Sequence, residues 1–166
     1  IRHYCWCSIR SKITVNMIPD QSTQVHGTCI SQDGAGILIR GASGAGKSDL
    51  ALRLISHGAY LVADDQVILY PHKKQIIARA PKNLFGLMEV RGIGVLHLPS
   101  NASTPLHLLV DLVEHENIER IPESTFVKLL GINIKRIDLW AFEASATAKV
   151  SLALDLALNR VIYKDG

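Results

Sequence analysis

Gly36-Ile37-Leu38-Ile39-Arg40-Gly41-Ala42-Ser43-Gly44-Ala45-Gly46-Lys47-Ser48-Asp49-Leu50 organises the chain. Within it, Gly41 to Ser48 meets the pattern G-x-x-x-x-G-K-[ST] at every specified position. An apolar run, Ile37-Leu38-Ile39, enters the loop as a short buried strand would. Leu50, Ala51, Leu54 and Ile55 leave it at the spacing of one helix face. A strand, a glycine-rich loop and a helix in that order form an anion cradle. Glycines let the backbone turn tightly, so successive amides converge on one phosphate. The helix N-terminus adds its partial positive charge. Lys47 can reach the β- and γ-phosphates, and the Ser48 hydroxyl can hold Mg²⁺. Gly41, Ala42, Ser43, Gly44, Ala45, Gly46, Lys47 and Ser48 are therefore the expected nucleotide-binding set. A glycine-rich turn with a chance lysine would leave the flanking strand and helix unexplained. The loop implies a nucleoside triphosphate or another polyphosphate and leaves open what happens to it.

Outward from the loop, 166 residues suffice for one domain with a sizeable core. Hydrophobic residues at 48% and charged residues at 20% are a globular mixture. A net charge of +3 with no basic run gives no argument for a nucleic-acid partner. Cys5, Cys7 and Cys29 are an odd, sparse set that suits a reducing compartment better than a disulfide framework. No apolar run reaches the roughly 18 residues of a membrane span, and no signal-peptide core is visible. The expectation is a cytoplasmic protein with no membrane contact. Residues 1–16 mix Arg, Lys, Cys and Trp without periodicity ahead of Met17. They read as a disordered or foreign extension, with a single domain over 17–166.

In chain order, His26 to Ile30 reads as a first strand, Ser31 to Gly36 as a turn, and Ile37 to Arg40 as its hairpin partner. The loop's helix should end near His57-Gly58. Tyr60 to Ala63 is a buried strand running into Asp64-Asp65, and Val67–Tyr70 with Gln75–Arg79 reads as a hairpin. Gly92 and Gly94 interrupt a strand-like run, Leu87 to Leu98, and suggest close backbone approach. Leu106 to Leu112 and Ile134 to Leu139 are strands. Glu123 to Leu130 reads as a short helix closed by Gly131. Ser145 can cap a last helix with Val150, Leu154, Ala157, Leu158 and Val161 on one face. The pattern predicts one strand-rich α/β domain whose early hairpins differ from a regular βαβ array.

Asp64-Asp65 stands sixteen positions beyond Ser48. A carboxylate there can meet a metal held by Ser48, or act as general base toward an incoming hydroxyl. A solvated acidic turn is the plain alternative. Glu89-Val90-Arg91-Gly92 is a third candidate: Glu89 could ligate metal and Arg91 could stabilise a transferring phosphoryl group. Taken alone, it reads better as a surface ion pair. His26 gains interest only through its strand, the expected partner of the strand feeding the loop. Arg120 reads as a solvated residue.

Together these pieces resemble the catalytic domain of the bacterial HPr kinase/phosphorylase family. The resemblance rests on His26-Gly27, Gly36 to Ser48, Leu61-Val62-Ala63-Asp64-Asp65-Gln66-Val67 and Leu87-Met88-Glu89-Val90-Arg91-Gly92-Ile93-Gly94-Val95. It implies an α/β phosphate-loop core with a mixed sheet resembling phosphoenolpyruvate carboxykinase. It also implies a homo-oligomer, a hexamer in the family. The implied reaction is phosphorylation by ATP and Mg²⁺ of a seryl hydroxyl on HPr, a phosphocarrier of the sugar phosphotransferase system, often with a reverse phosphorolysis. Carried over, Gly41 to Ser48 binds the phosphates, Lys47 stabilises the moving group, and Ser48 with Glu89 holds Mg²⁺. Asp65 moves the proton with Asp64 as its partner, His26 lies near the phosphate, and Arg120 matches a family arginine. The chain departs from the pattern at Asp49, where the family has Glu, and in a shortened segment after the Arg-Gly signature. Leu139-Trp140-Ala141-Phe142-Glu143-Ala144-Ser145 replaces the family's Pro, Gly, Arg and Asn motif for the reverse direction. The expected unit is the C-terminal catalytic domain alone, acting as a serine-protein kinase. A small-molecule kinase and a nucleotide-sensing module are the alternatives.

Overall fold

The computed structural model describes residues 21–123 and 125–164. The proposed extension over 1–16 and the proposed boundary at Met17 lie outside them. The centre is β3 (Ala35–Arg40), flanked by β2 (Thr28–Gln32) antiparallel and β9 (Thr104–Leu112) parallel. Ile37, Leu38 and Ile39 are completely buried because both faces of this strand are covered. Alternation divides them. Ile37 and Ile39, with Leu108 and Val110 of β9, face α1 (Lys47–Ser56) and α2 (Ala146–Ala157), meeting Leu50, Leu54, Val150 and Leu154. Leu38 and Leu109 face the other way, onto β5 (Gln66–His72) and β6 (Gln75–Arg79), meeting Leu69 and Ile76.

The same sheet supplies both strands and cover. Its order is β1-β5-β6-β9-β3-β2-β4, with β1 at Thr23–His26 and β4 at Tyr60–Ala63. It continues from β9 into β11 (Ile132–Leu139), parallel, and on to β10 (Phe126–Leu129). The sheet is mixed and curls so that β5 and β6 close over one face. A separate hairpin, β7 (Leu87–Val90) and β8 (Gly94–His97), lays Met88 and Val90 in the cluster that contains Leu50 and Leu54. The mixed α/β class and the early hairpins match the sequence reading.

Four local expectations are corrected. The first strand breaks at Gly27, where an added Cβ would stand 2.7 Å from the Ile39 carbonyl oxygen. His26 consequently sits on β1 opposite Gln66 of β5, not opposite the strand that feeds the loop. Gly92 and Gly94 have φ of 83° and 132°, and open space surrounds each Cβ position. They serve the β7–β8 turn, not a close approach. The segment read as a helix over Glu123–Leu130 contains β10, since Leu130 and Gly131 (φ 45° and 81°) form a two-residue turn into β11. In the last helix Ser145 makes no side-chain cap, and Val161 lies beyond the C-terminus, 40% exposed.

Candidate active site

β3 delivers the chain to Gly41, and α1 begins at Lys47. Between them Gly44 and Gly46 take φ of 82° and 93°, conformations that a side chain would strain. The Ala45 amide donates to the Ala42 carbonyl at 3.1 Å and closes the loop. Lys47 is buried, and its Nζ donates to the carbonyl oxygens of Gly41 and Ala42, each at 2.9 Å. The ammonium is thus held over the loop by its own backbone.

Ser48 Oγ donates to Asp64 Oδ1 at 3.1 Å. The same oxygen accepts from Thr28 Oγ1 at 2.8 Å, and Thr28 is completely buried on β2. β4 runs alongside β2, so its end brings Asp64 to the loop. Asp65 follows at φ 65°, a left-handed conformation. Its carbonyl accepts from the Gly27 amide at 3.1 Å and lies 3.0 Å from His26 Nδ1. His26 Nδ1 is also 3.2 Å from Asp65 Oδ1. These two side chains are 58% and 66% exposed, open enough for a macromolecule to reach. Contacts thus run from the loop to Asp64 through Ser48, and from the next residue, Asp65, to His26.

The other candidates are not joined to it by hydrogen bonds or ion pairs among the described residues. Glu89 is exposed on β7, while its neighbours Met88 and Val90 pack inward toward α1. Arg91 is exposed in the turn that follows. Arg120 lines a cleft of about 510 Å³ with Arg136, Asp138, Glu143 and Lys149. No group of three or more His, Cys, Asp or Glu side chains suited to a metal occurs among the described residues. Ser48 and Asp64 instead offer a small, all-oxygen donor set. That fits Mg²⁺, which keeps several waters and completes its shell with phosphate oxygens.

Two contributors escaped the sequence reading. Thr28 orients Asp64, and its only signal was a hydroxyl two positions past His26 on a strand. Asp111 accepts from Arg40 Nε and Nη2 at 2.8 and 2.9 Å and from Arg136 Nε at 2.8 Å. It thereby ties the residue before Gly41 to β9 and β11. No helix among the described residues is long and apolar enough to cross a membrane.

Comparison with known proteins shows what family the fold belongs to. The family model for the HPr serine kinase C-terminal domain matches residues 20–164. HPr kinase/phosphorylase of Polaromonas sp. is 35% identical over 155 residues, covering 86% of this chain and 48% of that protein. That of Bordetella pertussis is 35% identical, covering 86% and 49%. That of Malacoplasma penetrans is 34% identical over 122 residues, covering 66% and 40%. The chain thus spans less than half the length of these relatives. The structure of the HPr(Ser) kinase/phosphatase from Coxiella burnetii superposes with a TM-score of 0.73 at 26% identity, covering 83% of this chain and 97% of that one. With the matched model spanning nearly all of its length, this chain belongs to the HPr serine kinase C-terminal domain family.

Proposed function

We propose that this domain transfers the γ-phosphoryl group of ATP, with Mg²⁺, to a seryl hydroxyl on an HPr-like phosphocarrier. The observation that carries the reading is the Ser48–Asp64 hydrogen bond, which sets an acidic pair beside a G-x-x-x-x-G-K-S loop. The names of the relatives supply the substrate class.

Gly41 to Ser48 form the phosphate cradle, and Lys47 exchanges its two backbone carbonyls for phosphate oxygens. Ser48 would hold Mg²⁺ with Asp64 behind it, and Glu89 would be a further ligand in the family pattern. The metal supplies charge neutralisation on the phosphoryl oxygens. Asp65 takes the seryl proton, and His26, in contact with its carboxylate, orients it. Transfer in line asks little of the protein beyond positioning and charge stabilisation. Arg91 would stabilise charge on the transferring phosphoryl group, and Arg120 matches a family arginine. The reverse phosphorolysis, a homo-oligomer of hexameric type, a cytoplasmic setting and kinship with phosphoenolpyruvate carboxykinase belong to the same reading.

The test is incubation of the protein with γ-labelled ATP, Mg²⁺ and a purified HPr. Acid-stable label on serine is expected. Label on a metabolite would make the protein a small-molecule kinase. Tight ATP binding with no label on any acceptor would make it a nucleotide sensor.

A further inference from the structure

Beside the phosphate loop stands an aromatic group that the chemistry above does not use. Phe142 is 56% exposed, a large apolar ring left in solvent. It is fixed against the loop: a Cβ on Gly46 would come within 3.0 Å of Phe142 Cζ and 2.9 Å of Ala141 Cβ. Trp140 meets Phe142 edge-on, with centroids 6.1 Å apart, and His115 meets Trp140 in the same way at 5.1 Å.

The segment carrying these rings is pinned from both sides. Arg53, on α1, donates from Nη2 to the Ala141 carbonyl. Glu143 pairs with Lys149 at 2.7 Å, and the Ala146 amide donates to the Glu143 carbonyl at 3.1 Å. Gly46 and Arg53 stand seven residues apart, two helical turns, so the segment lies along the α1 face that starts at the loop. A ring held this firmly at the mouth of a phosphate cradle is a preorganised stacking surface.

We propose that Phe142, backed by Trp140 and His115, stacks the base of the nucleoside triphosphate whose phosphates occupy the Gly41–Ser48 loop. The inference rests on the phosphate-binding reading and adds its nucleoside end. Phe142 offers a π-face and no hydrogen-bonding group. Recognition is therefore by ring area, favouring purines over pyrimidines with little distinction between adenine and guanine. The sequence has no Asn-Lys-x-Asp element to add a guanine preference.

Calorimetric titration with ATP and with inorganic triphosphate, both with Mg²⁺, tests this on the wild-type chain and on Phe142→Ala. Phe142→Ala should weaken ATP roughly tenfold and leave triphosphate unchanged. Phe142→Leu, which keeps bulk without a π-face, guards against a folding artefact and should also weaken ATP alone. With Trp6→Phe leaving Trp140 as the single tryptophan, ATP should change its emission and triphosphate should not. An equal loss for both ligands, or no loss for either, overturns the base platform. A loss confined to HPr binding would also overturn it and make the patch a protein contact. If the wild-type chain binds neither ATP nor triphosphate, the phosphate reading itself has failed.

Discussion

Ser48, the second residue of α1, hydrogen-bonds Asp64 at the end of β4 through 3.1 Å, joining the loop's helix to the strand that carries the acidic pair. The bond pairs a hydroxyl oxygen with a carboxylate, a donor set that would hold Mg²⁺. Ser48→Ala should therefore lower Mg²⁺-supported ATP affinity roughly tenfold and leave metal-free binding nearly unchanged. Titrations with Mg²⁺ and with a chelator separate the two. An equal loss in both would give the Ser48 hydroxyl a structural role only.

Lys47 is satisfied by two carbonyls of its own loop, so its charge is preorganised at the site. Lys47→Met should weaken ATP and inorganic triphosphate alike, by roughly 10- to 100-fold, as loss of a charge-assisted contact does. Unimpaired triphosphate binding by a folded variant would contradict the phosphate cradle.

Asp111 gathers Arg40 and Arg136. Burial alone would lower the Arg136 pKa, but the charges of Asp138 and Asp111 and its hydrogen bonds to them outweigh that and raise it. Asp111→Ala leaves two guanidinium groups short of a partner. Both arginines remain about a third exposed, so solvent screening holds the cost to about 1–2 kcal/mol. Urea unfolding measures it. Because Arg40 precedes Gly41, ATP affinity should fall as well, whereas a change in stability alone would place the network outside the site.

Cys29 lies completely buried between β3 and β4, and burial pushes its thiol from 9.0 up to about 12. The unfolded chain releases this proton near pH 9 while the folded chain keeps it. The contribution to stability is therefore full below pH 9 and is lost as pH rises toward 12. The urea midpoint should fall between about pH 8 and about pH 10.5 more in the wild-type chain than in Cys29→Ala. An equal fall in both would contradict this assignment.

The loop and its two flanking elements were legible because three independent local signals coincide over Gly36–Ile55: an apolar run, fixed glycines and a 3.6-residue period. The acidic pair was legible as a strand-end feature, but the separation of its two side chains onto different hydrogen-bond partners was not. It depends on the left-handed turn at Asp65 and on Thr28, brought in through pairing of β2 with β4. β10 was misread because Phe126, Val127, Leu129 and Leu130 make a run too short to decide its period, and Gly131 closes a helix or a hairpin equally well. His115, Trp140 and Phe142 come from two segments that meet only in the folded chain, so no spacing announces them.

The most direct test of the central claim is the phosphotransfer rate to HPr by the wild-type chain and by Asp65→Asn, each saturated with ATP and Mg²⁺. A base lost beside an intact phosphate cradle predicts unchanged ATP affinity and transfer slowed by roughly 10²-fold or more. Transfer at the wild-type rate would contradict the account by removing Asp65 from the chemistry. A parallel loss of ATP binding would make it a structural residue.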